Sequence, residues 1–270
     1  MTTRDRQLAT AVHAARDAGT FLRQHYEGES ELLVNETTQH DIKLDLDVRS
    51  QERIAQCLLE AYPGDALLGE EGVQGNSSSA RRWVVDPIDG TVNYFYGIPH
   101  FCVSIALEEE GDTVLGVIYD PMLDEVYTAT DEHPSKRNGN PIHPSSRKSL
   151  SDAVITVGFS KTVEALDLGF DRFRHLAYRV RKIRILGSAA LGLSYVACGR
   201  LDAYVEEGIG LWDIAAGVLL VHRAGGQVEL TAVPGSERLQ FGIIAANPHL
   251  DLAELRRPAA GQDFSPAANP

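Results

Sequence analysis

The chemistry with the clearest signature in this chain lies in Asp86-Pro87-Ile88-Asp89-Gly90-Thr91. The apolar run Trp83-Val84-Val85 in front of it reads as a short buried strand that delivers Asp86. Pro87 removes a ladder donor and fixes φ, so the chain is expected to turn there. Residues three apart face opposite sides of a straight strand. A turn at Pro87 lets Asp86 and Asp89 converge, with the Ile88 carbonyl between them. Two carboxylates held together repel, raise one another's pKa and need a cation to neutralise them. Hard oxygen ligands suit Mg²⁺, which leaves places for water and a phosphate. Gly90-Thr91 adds backbone N–H groups that a phosphate can approach closely, at the start of a short helix. The same residue types also build ordinary turns, so the segment by itself leaves both readings open.

Two further acidic sites bear on it. Gly69-Glu70-Glu71 closes the apolar run Ala66-Leu67-Leu68. A Glu pair at the end of a buried strand is costly unless something binds it; the alternative is a solvated loop. Trp212-Asp213 precedes Ile214-Ala215-Ala216-Gly217-Val218-Leu219-Leu220, where Asp213 has a structural use as a helix N-cap. Such a cap is worth about 1 kcal/mol without any metal. Together the three sites place carboxylates at different strand and helix ends, which is how a two-metal phosphoryl-transfer site is assembled.

The elements that must position these groups follow from periodicity. Apolar residues at Leu8, Ala11, Val12, Ala15, Ala18 and Leu22 predict a helix over residues 5–26. A second is expected over 48–61, stopped by Pro63-Gly64, with the polar stretch 37–45 a loop or short strand. Runs at 101–107 and 114–119 around Glu110-Gly111-Asp112 predict a hairpin, followed by a strand at 125–128 and a turn at Asn138-Gly139. This half reads as an antiparallel sheet behind two helices. The second half alternates: strands at 154–157, 183–186, 201–205 and 241–246, and helices at 164–178, 188–198 and 214–224. The Pro/Ala-rich tail 258–270 is expected to be disordered.

Composition narrows the function classes. Of 270 residues, 38 are Asp or Glu against 25 Lys or Arg, for a formal charge of −13. Phosphate backbones attract basic stripes, so non-specific nucleic-acid binding is not expected as the main activity. The three cysteines, Cys57, Cys102 and Cys198, form no C-x-x-C pair and suggest neither a zinc site nor a disulfide framework. The N-terminal segment lacks an apolar signal core, and no run approaches the roughly 18 apolar residues of a membrane helix. These features lead us to expect a soluble cytoplasmic protein.

Glu70-Glu71 after a glycine, D-P-I-D-G-T-x-N through Asn93 and W-D-x-A-x-G from Trp212 to Gly217 resemble, in order and spacing, the three motifs of the inositol monophosphatase family. Gly187-Ser188-Ala189-Ala190 and Asp202-Ala203-Tyr204 are similar to family segments as well. The resemblance implies an α+β fold, a layered αβαβα sandwich of two mixed or antiparallel sheets with helices between and outside. One family domain would span 1–257, with possible lobes 1–150 and 151–257. It further implies two or three Mg²⁺ ions. Glu70, Asp86 and the Ile88 carbonyl would hold one, and Asp86, Asp89 and Asp213 a second. Thr91, paired with Asp47, would orient the attacking water, and Glu71 would orient water or a ligand group. Asp47 is at the same time a candidate N-cap, and Leu44 stands where many members have Thr. Gly90, Thr91, Ala189, Glu206 and Asp213 would contact the substrate, with Glu206 accepting polyol hydroxyls; a charged strand end is its alternative reading. The implied activity is hydrolysis of a small phosphorylated polyol or sugar, first inositol monophosphate, by a lithium-sensitive homodimer. Alternatives within the superfamily are fructose-1,6-bisphosphatase, histidinol-phosphatase and 3′-phosphonucleotide phosphatase. Outside enzymes, the alternative is an RNA-polymerase-associated regulatory role.

Overall fold

The computed structural model describes residues 2–27, 34–37, 42–159, 162–233, 235 and 239–256; the expected disorder of the tail lies outside them. Helix α1 (Thr3–Glu27) is followed by a small antiparallel pair, β1 (Val34–Thr37) and β2 (Ile42–Leu44), and then by α2 (Asp45–Ala61). Strands β3 (Ala66–Gly69), β4 (Gly72–Gly75) and β5 (Arg81–Asp89) lead to the short helix α3 (Thr91–Phe95). Next come β6 (Cys102–Glu109), β7 (Asp112–Asp120), β8 (Glu125–Thr130), β9 (Lys136–Arg137) and β10 (Asn140–Pro141). The second half contains β11 (Val154–Val157), α4 (Val163–Ala177), β12 (Lys182–Arg184), α5 (Ala189–Ala197) and β13 (Ala203–Gly210). It ends with α6 (Leu211–Ala224), β14 (Gln227–Ala232), β15 (Gln240–Ala246) and α7 (Leu252–Leu255).

An eight-stranded sheet runs in the order β10-β9-β8-β7-β6-β5-β3-β4, antiparallel except where β3 lies parallel to β5. A five-stranded sheet runs β12-β11-β13-β15-β14, parallel across its first three strands and antiparallel beyond. Period-2 alternation sorts their side chains into three cores. Trp83, Val85, Ile105, Leu107 and Val117 face α1 and α2. Val84, Ala106 and Ile118 point the other way, onto α5 and α6, which Tyr204, Ile243 and Ala245 of the second sheet cover from below. Ile155, Val205, Ile244 and Ala246 face outward to Leu176 of α4 and Leu255 of α7. The result is an α+β fold in five layers, αβαβα.

Several expected boundaries move for physical reasons. The β6–β7 hairpin forms where expected, with Glu110 and Gly111 both at positive φ, as a tight two-residue turn requires. Helix α2 starts at Asp45 rather than Val48, so Asp47 is its third residue and not its N-cap. Asp213 is likewise the third residue of α6, whose N-cap is Gly210. Strand β5 does not stop at Val85 or turn away at Pro87. It stays paired with β6 as far as Asp89. Edge strands β4 and β14, which sequence reasoning missed, are mostly exposed or half-buried and carry little apolar alternation. No helix among the described residues is long and apolar enough to cross a membrane.

Candidate active site

The convergence of acids starts with an irregularity in β5. Asp86 pairs with Ser104 and Asp89 with Cys102, so one strand spends one residue more than its partner between the two pairs. Such a bulge bends the strand and re-aims its side chains, and Pro87 is tolerated there because it has no ladder donor to give. Both aspartates are buried, Asp86 at 1% and Asp89 at 6% exposure. The Asp86 carboxylate accepts from the Ile88 N–H at 3.0 Å.

Glu70 arrives from the β3–β4 turn. Its N–H bonds the Val85 carbonyl at 3.2 Å, and the turn is braced from α2 by the buried Gln51, whose Oε1 accepts from Glu71 N at 3.1 Å. Gly69 leaves room for this brace, because a Cβ would sit 1.8 Å from Gln51 Oε1 and displace it. Asp213 comes from the first turn of α6 and accepts from Gly210 N at 2.9 Å. Asp47 does the same on α2, accepting from Leu44 N at 2.7 Å. Both are third-position acids reaching back over a helix start, where negative charge is favoured.

Glu70, Asp86 and Asp213 each offer an oxygen within 4.8 Å of the other two. Burial, and then the charges of Glu70, Asp213 and Asp89, push the Asp86 carboxyl well above its usual range. A buried carboxylate surrounded by acids is stabilised by a cation, and three carboxylate oxygens are a donor set for a hard one. The residues present therefore fit a divalent metal.

Asp89 stands apart from that trio. Its oxygens accept from Ser188 Oγ at 2.5 Å, Ala190 N at 2.7 Å, Ala189 N at 3.1 Å and Cys102 Sγ at 3.5 Å. Burial raises its carboxyl pKa, and these same donors pull it back down. Ala189, expected to contact substrate, thus directs its N–H at Asp89. Thr91 Oγ1 donates to the Ile88 carbonyl at 2.9 Å and lies 3.4 Å from Asp47 Oδ1. Gly90 adopts φ +99 as N-cap of α3, and a Cβ there would meet the His100 carbonyl at 3.0 Å. Asn93 staples this corner to the second half, donating to the carbonyls of His100 and Leu186 at 2.8 Å each.

Glu206 lies on β13, buried at 8%, and accepts from the Tyr204 hydroxyl. Gly158 makes room for it, since a Cβ would stand 1.6 Å from Glu206 Oε2. Glu71 is half-buried beside Glu70. Sequence reasoning missed the structural parts of Ser188, Gln51 and Cys102, because their partners are remote in the chain. A polar Gln51 on the apolar face of α2 was the one available hint.

A sequence model described as the inositol monophosphatase family matches residues 4–261. Nus factor SuhB of Xylella fastidiosa is 42% identical over 229 residues, covering 80% of this chain and 79% of that one. Inositol-1-monophosphatase of Rhizobium meliloti is 37% identical over 246 residues, covering 90% and 92%. The crystal structure of extragenic suppressor protein suhB from Bartonella henselae aligns with a TM-score of 0.86 at 35% identity, over 95% of this chain and 99% of that chain.

Proposed function

The chain belongs to the inositol monophosphatase family, and from that premise we propose that it is a Mg²⁺-dependent phosphatase of small phosphate monoesters, inositol monophosphate first among them. The observation that carries this reading is the meeting of Glu70, Asp86 and Asp213 within 4.8 Å at the β5 bulge. Glu70, Asp86 and the Ile88 carbonyl would hold one Mg²⁺, and Asp86, Asp89 and Asp213 a second. When bound, the ions supply charge stabilisation for the phosphate and lower the pKa of the attacking water.

The remaining work falls to the chain itself. The N–H groups of Gly90 and Thr91 seat the phosphate. Thr91 Oγ, between the Ile88 carbonyl and Asp47, and Glu70 orient the water for in-line attack. The bond from phosphorus to the alcohol oxygen breaks as the bond to water oxygen forms. Glu206 and Asp213 would contact the departing alcohol, and a carboxylate such as Glu206 favours a polyol. Glu71 helps to orient the water. The family also supports a cytoplasmic homodimer, and the unpaired cysteines Cys57, Cys102 and Cys198 fit a reducing compartment.

The test is a kcat/KM panel of inositol 1-phosphate, fructose 1,6-bisphosphate, histidinol phosphate and adenosine 3′,5′-bisphosphate, with and without Li⁺. Inositol 1-phosphate is expected to lead and Li⁺ to inhibit. Undiminished turnover in Asp213→Asn would rule the reading out. A second reading, a non-catalytic regulatory role, is favoured by the similarity to Nus factor SuhB. Restoration of a deletion phenotype by catalytically dead Asp89→Asn would make that role the physiological one.

A further inference from the structure

Ser188 holds a position in the site that the reaction as described does not use. It is the N-cap of α5, with extended backbone (φ −145, ψ 115), and its Oγ accepts from Leu191 N at 3.3 Å. The same hydroxyl lies 2.5 Å from Asp89 Oδ2. An ionised carboxylate can only accept, so the hydroxyl proton must point at Asp89 while its lone pair serves the helix. The direction of both bonds is therefore set by chemistry. Around Asp89, the Ala189 and Ala190 N–H groups approach from the same helix end, one to each oxygen, and Cys102 approaches from the paired strand β6. Asp89 belongs to the first sheet and Ser188 to the helix layer beneath it. The rotation of the Asp89 carboxylate is thus held by three donors from the start of α5 together with Cys102.

We propose that Ser188 is a positioning residue for the second metal site, fixing the Asp89 carboxylate through its hydroxyl and thereby coupling the seating of α5 to Mg²⁺ affinity. The inference rests on the assignment of Asp89 as a metal ligand. Outer partners of ligands typically contribute 10–100-fold in metal affinity.

Three variants separate positioning from capping. Ser188→Gly removes the hydroxyl while keeping a residue well tolerated at N-caps. Ser188→Thr keeps the hydroxyl on an extended backbone that suits a β-branched side chain. Ser188→Ala removes both cap and donor. Mg²⁺ affinity is measured without substrate, from the Mg²⁺ dependence of the melting temperature and by calorimetry, on the full chain. Ser188→Gly and Ser188→Ala are expected to weaken the weaker of two Mg²⁺ sites by about 10-fold, with Ser188→Thr close to wild type and KM little changed at saturating Mg²⁺. If Ser188→Gly binds Mg²⁺ as wild type does, the proposal is overturned, and any stability lost in Ser188→Ala is capping alone. If wild type itself shows no saturable Mg²⁺ binding, the metal reading beneath it falls as well.

Discussion

Each sheet carries a one-residue bulge beside the candidate site, and the two treat charge in opposite ways. In β5 the extra residue falls between Asp86 and Asp89; in β13 it falls between Glu206 and Ile209, opposite Ile243 and Phe241. Each bulge begins with a buried acid. At β13 the acids are compensated from within the protein: Tyr204 donates to Glu206, and Arg172 forms an ion pair with Glu207 at 2.5 Å. At β5 the charges that bear most on Asp86 are those of Glu70, Asp213 and Asp89, all acids. One backbone device thus makes a satisfied carboxylate in one sheet and a cation-seeking cluster in the other. The first is suited to recognition, the second to chemistry.

The largest expected effect breaks the β5 side of this contrast. Asp86→Asn should lower kcat/KM by at least about 10³-fold, the scale of losing a principal source of charge stabilisation. In metal-free buffer the same variant should melt a few degrees higher, because a buried charge among like charges is removed. A lower melting temperature would mean that the cluster is already neutralised within the protein.

On the β13 side the effects should fall on substrate choice. Glu206→Gln should raise KM for inositol 1-phosphate about 10-fold, the scale of one hydrogen bond to a charged group. Turnover of p-nitrophenyl phosphate, which has no polyol, should change little. An equal loss on both substrates would return Glu206 to the role of a strand-end charge. Tyr204→Phe should act in the same direction by a smaller factor, on the order of 3-fold, since it loosens the carboxylate without removing it.

The smallest effect concerns pH. Burial lowers the pKa of His100, next to the α3 corner, and of His175 and His222 in the second half. A histidine whose folded pKa is depressed contributes stability that is present above its unfolded value near 6.5 and is lost as pH falls through the folded one. The histidine contribution to the melting temperature should therefore be level above about pH 7 and decline toward pH 5.5, opposite in sign to that of Asp86, whose raised pKa favours the low-pH side. His100→Gln should flatten part of that decline.

What the sequence made legible was whatever short-range physics decides. The spacing of Leu8, Ala11, Ala15 and Leu22 is enough for α1, and Glu110-Gly111 for its hairpin, because both patterns are local. The sequence marks Asp47 and Asp213 as acids at helix starts and offers each as an N-cap, whereas each is the third residue of its helix. An acid three residues into a helix and an acid at its cap look alike in sequence, since both favour the same end. The β5 bulge was half visible: Pro87 announces a break in the ladder, but whether the chain turns or bulges depends on β6 being there to pair with Asp89. The bond from Ser188 to Asp89 spans 99 residues, and no local pattern encodes it.

The most direct test of the central claim is phosphate release from inositol 1-phosphate by chelator-treated protein as Mg²⁺ is restored. No turnover is expected in excess chelator, with saturable recovery as Mg²⁺ is added and no recovery in Asp86→Asn at any Mg²⁺ concentration. Turnover that persists in chelator, or an Asp86→Asn protein that recovers as wild type does, would contradict that claim.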